Sequence, residues 1–141
     1  MRKIDDLFGR YDESHRNGIN KTIHWICVPL IVWSVLAALW VWTPFAVCAV
    51  IALAVVYYVS ISLPIAIGML VVSAAMVLTL IAIPSHLLMI AAIVFVAAWL
   101  GQFIGHKIEG RKPSFFEDLT FLMIGPAWLL GFLYRRLRIP Y

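Results

Sequence analysis

Apolar residues fall into long runs along this chain, separated by brief polar breaks rather than alternating with polar positions. Between Lys21 and Lys107 no Asp, Glu, Lys or Arg occurs. These runs predict helices at about residues 23–41, 45–59, 65–83 and 86–105, because roughly 20 helical residues cross about 30 Å of hydrocarbon. Thr43-Pro44, Ser60 to Pro64 and Pro84-Ser85 supply the breaks, and links this short predict antiparallel neighbours. Upstream, residues 1–20 are polar, with Ile4, Leu7, Phe8 and Tyr11 at helical spacing. That is the pattern of an amphipathic helix lying on a membrane surface. Gly18 is expected to end it and Asn20 to cap a helix starting at Lys21. Pro29 frees the carbonyl of Trp25 and predicts a kink close to His24.

Composition sharpens this picture. With 141 residues, 64% of them hydrophobic, and a mean hydropathy of +0.98, the chain lies outside the range of soluble globular domains. The expectation is an all-α, multi-pass integral membrane domain over residues 1–141. The two cysteines, Cys27 and Cys48, sit inside apolar runs and read as small hydrophobes, not as a disulfide framework. Polar residues precede the first run and no small-residue cleavage site follows it, so no signal peptide is expected.

Charge then fixes an orientation. Lys and Arg precede the first span, are missing from the three short turns, follow the fourth span and close the chain. The positive-inside rule therefore places the N-terminus in the cytoplasm, and four crossings return residues 106–118 to that side. The membrane is a bacterial inner membrane, or the endoplasmic reticulum in a eukaryote. The last apolar stretch, 119–134, is short and interrupted by Gly125-Pro126. A re-entrant or interfacial helix pair roofing the loop keeps every basic residue on one side; a fifth span would not. The net charge of +4 suits anionic headgroups or an anionic substrate. No basic, aromatic-interleaved soluble module exists to bind nucleic acid, and the pattern does not determine an oligomeric state.

This topology gathers His15, His24 and His106 at one surface. His15 and His24 are half a turn out of phase on a continuous helix, so a break at Gly18-Ile19-Asn20 is needed for both to face inward. His86 starts the fourth span and belongs at the opposite surface. Gln102, His106 and Glu109 stack on one helical face, and Glu109 is a candidate fourth ligand or base. Imidazole with carboxylate suits zinc or non-haem iron. Gln102, an amide in hydrocarbon, is a candidate to orient His106 or to bond a neighbouring helix. Gly101 and Gly105 form a GxxxG pair that lets a helix approach closely. Arg16, Arg111 and Lys112 are candidates to hold a substrate carboxylate, with Asn20 and Tyr11 beside them.

Two motifs carry a family resemblance. Tyr11-x3-His15-x4-Asn20-x3-His24-x4-Pro29, followed by Trp99-x2-Gln102-Phe-Ile-Gly-His106-x2-Glu109-Gly-Arg-x-Pro113, resembles the membrane 2-hydroxy fatty acid dioxygenases. That family includes a fungal endoplasmic-reticulum enzyme of phytosphingosine breakdown and many bacterial relatives. The fungal form carries one more residue between the His and the Glu-Gly-Arg, which bears on the role of Glu109. The resemblance implies an Fe(II)-dependent α-oxidation, in which a long-chain 2-hydroxy acid and O2 give the acid one carbon shorter, CO2 and water. O2 takes the four electrons released, so no flavin, NAD or 2-oxoglutarate is implied. His15, His24 and His106 would hold the iron, Glu109 would be a ligand or base, and the acyl tail would lie among the spans.

Other classes remain open on the residues alone. A transporter would place ionisable groups mid-span along a path, which this chain lacks. A membrane scaffold would need no gathered histidines. A zinc-dependent lipid hydrolase is the nearest enzymatic alternative.

Overall fold

The computed structural model of the protein describes residues 2–83, 85–116 and 118–141. Pro84, expected to open the fourth span, lies outside the described residues. Among them the chain is all-helical: α1 (Lys3–Asp12), α2 (Gly18–Trp42), α3 (Pro44–Val59), α4 (Leu63–Ala82), α5 (Leu87–Glu109), a 3-10 turn at Ser114–Phe116 and α6 (Phe121–Leu137). Local chemistry explains the breaks. Thr43 caps α3, its side chain accepting from the Phe45 N–H, and Pro44 takes the first helical position. Ser62 does the same for α4 through the Ile65 N–H. Gly110 ends α5 in the left-handed conformation, φ 74°, which a side chain would resist.

Three helices, α2, α4 and α5, are long and apolar enough to cross a membrane. Helix α3, expected as a span, is apolar but has 16 residues, which is about 24 Å of helix. The outward faces carry large hydrophobics, among them Phe45, Leu53, Val71 and Leu100. A water-facing bundle would not display them.

Helices α2 and α5 pack together over the greatest length. The Gly101–Gly105 pair lies in this seam: a Cβ on Gly101 would stand 2.6 Å from the Cys27 sulfur, and one on Gly105 would meet Asn20. At the other end, exposed His86 precedes α5 and borders Trp40, away from His24.

Both chain ends differ in detail from the sequence reading. Helix α1 stops at Asp12, and α2 starts at Gly18 rather than Lys21. Its cap is Asn17, whose side chain accepts from the Ile19 and Asn20 N–H groups. Asn20 is instead fully buried inside the first turn. The apolar stripe of α1 (Ile4, Leu7, Phe8 and Tyr11) is buried against protein, not left for lipid. Helix α6 covers it: Phe8 fits over Gly131, Tyr11 over Gly125, and the Trp128 indole donates to Asp12 at 2.9 Å. The expected helix pair over 119–134 is one helix, continuous through Gly125-Pro126. Proline costs a helix one hydrogen bond, and packing on two sides outweighs that loss. Both ends of α6 meet the α3–α4 turn, where Tyr58 donates to the Met123 carbonyl and Tyr134 to that of Pro64.

Candidate metal centre

His15 lies in the α1–α2 link, His24 in the second turn of α2 and His106 in the last turn of α5. All three are buried, each 4% exposed or less. Their ring centroids stand 4.2 Å (15–24), 4.9 Å (15–106) and 4.9 Å (24–106) apart. One nitrogen from each lies within 4.8 Å of the others.

Main-chain carbonyls set two tautomers. His15 Nδ1 is 2.7 Å from the Tyr11 carbonyl, and His24 Nδ1 is 2.9 Å from that of Asn20. A carbonyl oxygen only accepts, so both Nδ1 atoms carry hydrogen and both neutral Nε2 atoms carry lone pairs. Those two Nε2 atoms face each other at 2.9 Å. Two lone pairs so close repel unless a cation lies between or beside them. Burial holds the His15 pKa down at about 4, against the pull of the Tyr11 carbonyl in the opposite direction. A proton is therefore a poor occupant near neutral pH. Nitrogens bound to one metal ion at about 2.1 Å stand about 3.0 Å apart in octahedral and about 3.4 Å apart in tetrahedral coordination, so the observed spacing needs little adjustment. His106 adds a buried Nδ1 with no hydrogen-bond partner among the described residues. The residues present fit a divalent ion held by three imidazoles, a donor set suited to zinc, iron, copper or nickel.

Glu109 stands apart from that group. Its Oε1 accepts from the Arg16 N–H at 3.0 Å, and its Oε2 from the Asn17 N–H at 2.8 Å and Asn20 Nδ2 at 3.1 Å. The carboxylate thus bridges the end of α5, where His106 sits, to the link that carries His15. Asn20 joins the same network by donating to the Ser14 carbonyl at 3.2 Å. Its other amide atom, Oδ1, is buried without a partner against Gly105. Exchanging the two amide atoms would set an oxygen against both acceptors, so the orientation is determined.

A cavity of about 60 Å³ opens beside the imidazoles. Tyr11, Trp99, Gln102, Ser114, Phe121 and Pro126 are among the residues that wall it. The Tyr11 ring stacks on His15 with centroids 4.1 Å apart, and burial raises its hydroxyl pKa. Gln102 is buried in the wall, and no hydrogen bond joins it to His106 among the described residues. Arg16, Arg111 and Lys112 are exposed and do not line the cavity.

Sequence reasoning did not single out Ser14 and Ser114, whose hydroxyls bond each other beside His15, nor Trp99 as a wall with a buried, unpartnered Nε1. Only the place of Trp99 and Pro113 in the second motif pointed that way.

No curated protein and no solved structure matches the chain. The family model described as "2-hydroxy-palmitic acid dioxygenase Mpo1-like" matches residues 1–137, which takes in all three histidines and the helix that roofs them. The chain belongs to the Mpo1-like family.

Proposed function

We propose that the protein is an Fe(II)-dependent dioxygenase that converts long-chain 2-hydroxy fatty acids to the acid one carbon shorter, with release of CO2 and water. The observation that carries this reading is the pair of Nε2 lone pairs, 2.9 Å apart, with His106 beside them. Membership of the Mpo1-like family points to the substrate class. A ferrous ion, when bound, supplies the one-electron redox chemistry by which dioxygen reacts with a 2-hydroxy acid.

The chain's own residues do the rest. His15, His24 and His106 would hold the ion, next to the cavity that would receive the substrate. The Tyr11 and Asn20 carbonyls keep two imidazoles aimed and raise their basicity. Tyr11, Trp99 and Phe121 exclude bulk water. Arg16, Arg111 and Lys112, exposed on the segments that flank His15 and follow α5, would attract the carboxylate of an incoming acid from solution. Glu109 holds the site together rather than reacting, in keeping with its three donors.

In the membrane, α2 to α5 cross and the metal centre faces the cytoplasm, a reading supported by the distribution of Lys and Arg. Helix α6 stays at that surface, a reading supported by the contact of both its ends with one inter-helix turn.

The test is oxygen uptake by detergent-purified protein with a 2-hydroxy acid, coupled to mass detection of the shortened acid. Ferrous iron must restore activity to chelator-treated protein. Uptake that ignores iron overturns the proposal. Three imidazoles without a carboxylate are also a zinc set, so zinc-dependent ester or amide cleavage in the same preparation would favour a lipid hydrolase.

A further inference from the structure

A second cavity, of about 170 Å³, lies between α2, α4 and α6. It shares three walls, Val28, Val32 and Pro126, with the smaller cavity at the imidazoles. Its remaining lining is apolar apart from Ser73, and α4 contributes Met69, Val72, Ser73 and Met76. From Met69 to Met76 is about 10 Å along the helix.

The cavity at the histidines is too small for a long acid. At about 60 Å³ it holds the equivalent of about two waters of liquid volume, room for a hydroxy-carboxylate head and little more. The tail must leave it. The α2–α5 seam is closed, because Gly101 and Gly105 already bring the helices together at Cys27 and Asn20. Val28, Val32 and Pro126 border both spaces, so the larger cavity lies directly beside the smaller one and offers apolar surface of the right kind.

We infer that the gap between α2, α4 and α6 receives the alkyl tail of the substrate, and that Ser73 and Met76 on α4 set the preferred tail length. This rests on the functional reading above. Each methylene buried there raises kcat/KM about fourfold, the equivalent of about 0.8 kcal/mol, until the cavity is full. Ser73 is the smallest side chain on the α4 wall, so a bulky replacement shortens the space.

Two measurements test this. The first is kcat/KM for 2-hydroxy acids of increasing length, in wild type and Ser73→Phe. The long-to-short ratio is expected to fall about tenfold or more, the loss of roughly two buried methylenes. A ratio unchanged in the variant overturns the tail site while leaving the dioxygenase reading intact. Wild-type protein that turns over no length overturns both. The second needs neither turnover nor the variant's folding: a 2-hydroxy acid with a photoreactive group at the tail end, cross-linked to wild-type protein. Label on Met69, Ser73 or Met76, displaced by excess unlabelled acid, supports the inference. Label confined to the outward residues Leu70, Val71 and Leu78, which are 48%, 64% and 67% exposed, places the tail in surrounding lipid and overturns it.

Discussion

Glu109→Ala should loosen the metal centre without removing any ligand from it. The substitution deletes the acceptor for the Arg16 and Asn17 N–H groups and for Asn20 Nδ2. Hydrogen bonds to a charged group are worth about 1.5–3 kcal/mol each when buried. Here the Arg16 donor is exposed and water replaces much of what is lost, whereas Asn20 keeps its bond to the Ser14 carbonyl. A net cost of about 1–2 kcal/mol is therefore expected for the closed arrangement of the His15 link. That corresponds to roughly a 5- to 30-fold fall in apparent metal affinity. Glu109→Gln keeps one acceptor oxygen and should lose less. Titration with Co(II), followed by its visible absorption, reads affinity directly for wild type and both variants. Equal affinity in all three, with activity reduced a hundredfold or more in both, would refute the clasp and make Glu109 a proton-transferring group.

Three further outcomes are expected. His106→Ala should lower metal content per chain to background in protein that still elutes folded from size exclusion, because two imidazoles alone make a weak site; full occupancy would show that the third ring is not a ligand. Gly105→Ala drives a Cβ into Asn20 and should cost about 1–3 kcal/mol, read as a lower midpoint of thermal unfolding in detergent, whereas Gly9→Ala, with nothing near it, should not. For the metal-free protein, the folded His15 pKa of about 4 lies below the unfolded value of about 6.5. Stability from neutral His15 is then complete above pH 6.5 and is lost as pH falls toward 4, by at most ~3 kcal/mol. Apo protein more stable at pH 5 than at pH 7.5 would contradict this.

The apolar helices were legible because two local signals agreed, long apolar runs and capping turns at Thr43-Pro44 and Ser62-Leu63-Pro64. The meeting of His15, His24 and His106 followed from short links that stand α5 back against α2. What stayed hidden depends on backbone atoms or distant partners. Asn17 and Asn20 are equally good caps on paper, and the choice turns on Asn20 being held by the Ser14 carbonyl and Glu109. Glu109 is three residues from His106 on its helix, which suggested a ligand, but its partners are main-chain N–H groups that no spacing encodes. Trp128 and Asp12 bond across 116 positions with nothing local to announce it. Gly125-Pro126 reads as a break, and only tertiary packing from α1 and α4 keeps α6 whole.

The docking of α1 against α6 couples two helices that are made more than a hundred residues apart. During synthesis the three imidazoles emerge before Phe121 and Pro126, so the nascent site stands open until α6 settles over it. An ion held by these imidazoles would load most easily in that interval, and afterwards Tyr11 and Trp128, packed against His15, would help to shut it in. Truncation ahead of residue 121 should therefore give a chain that picks up metal readily and releases it just as fast.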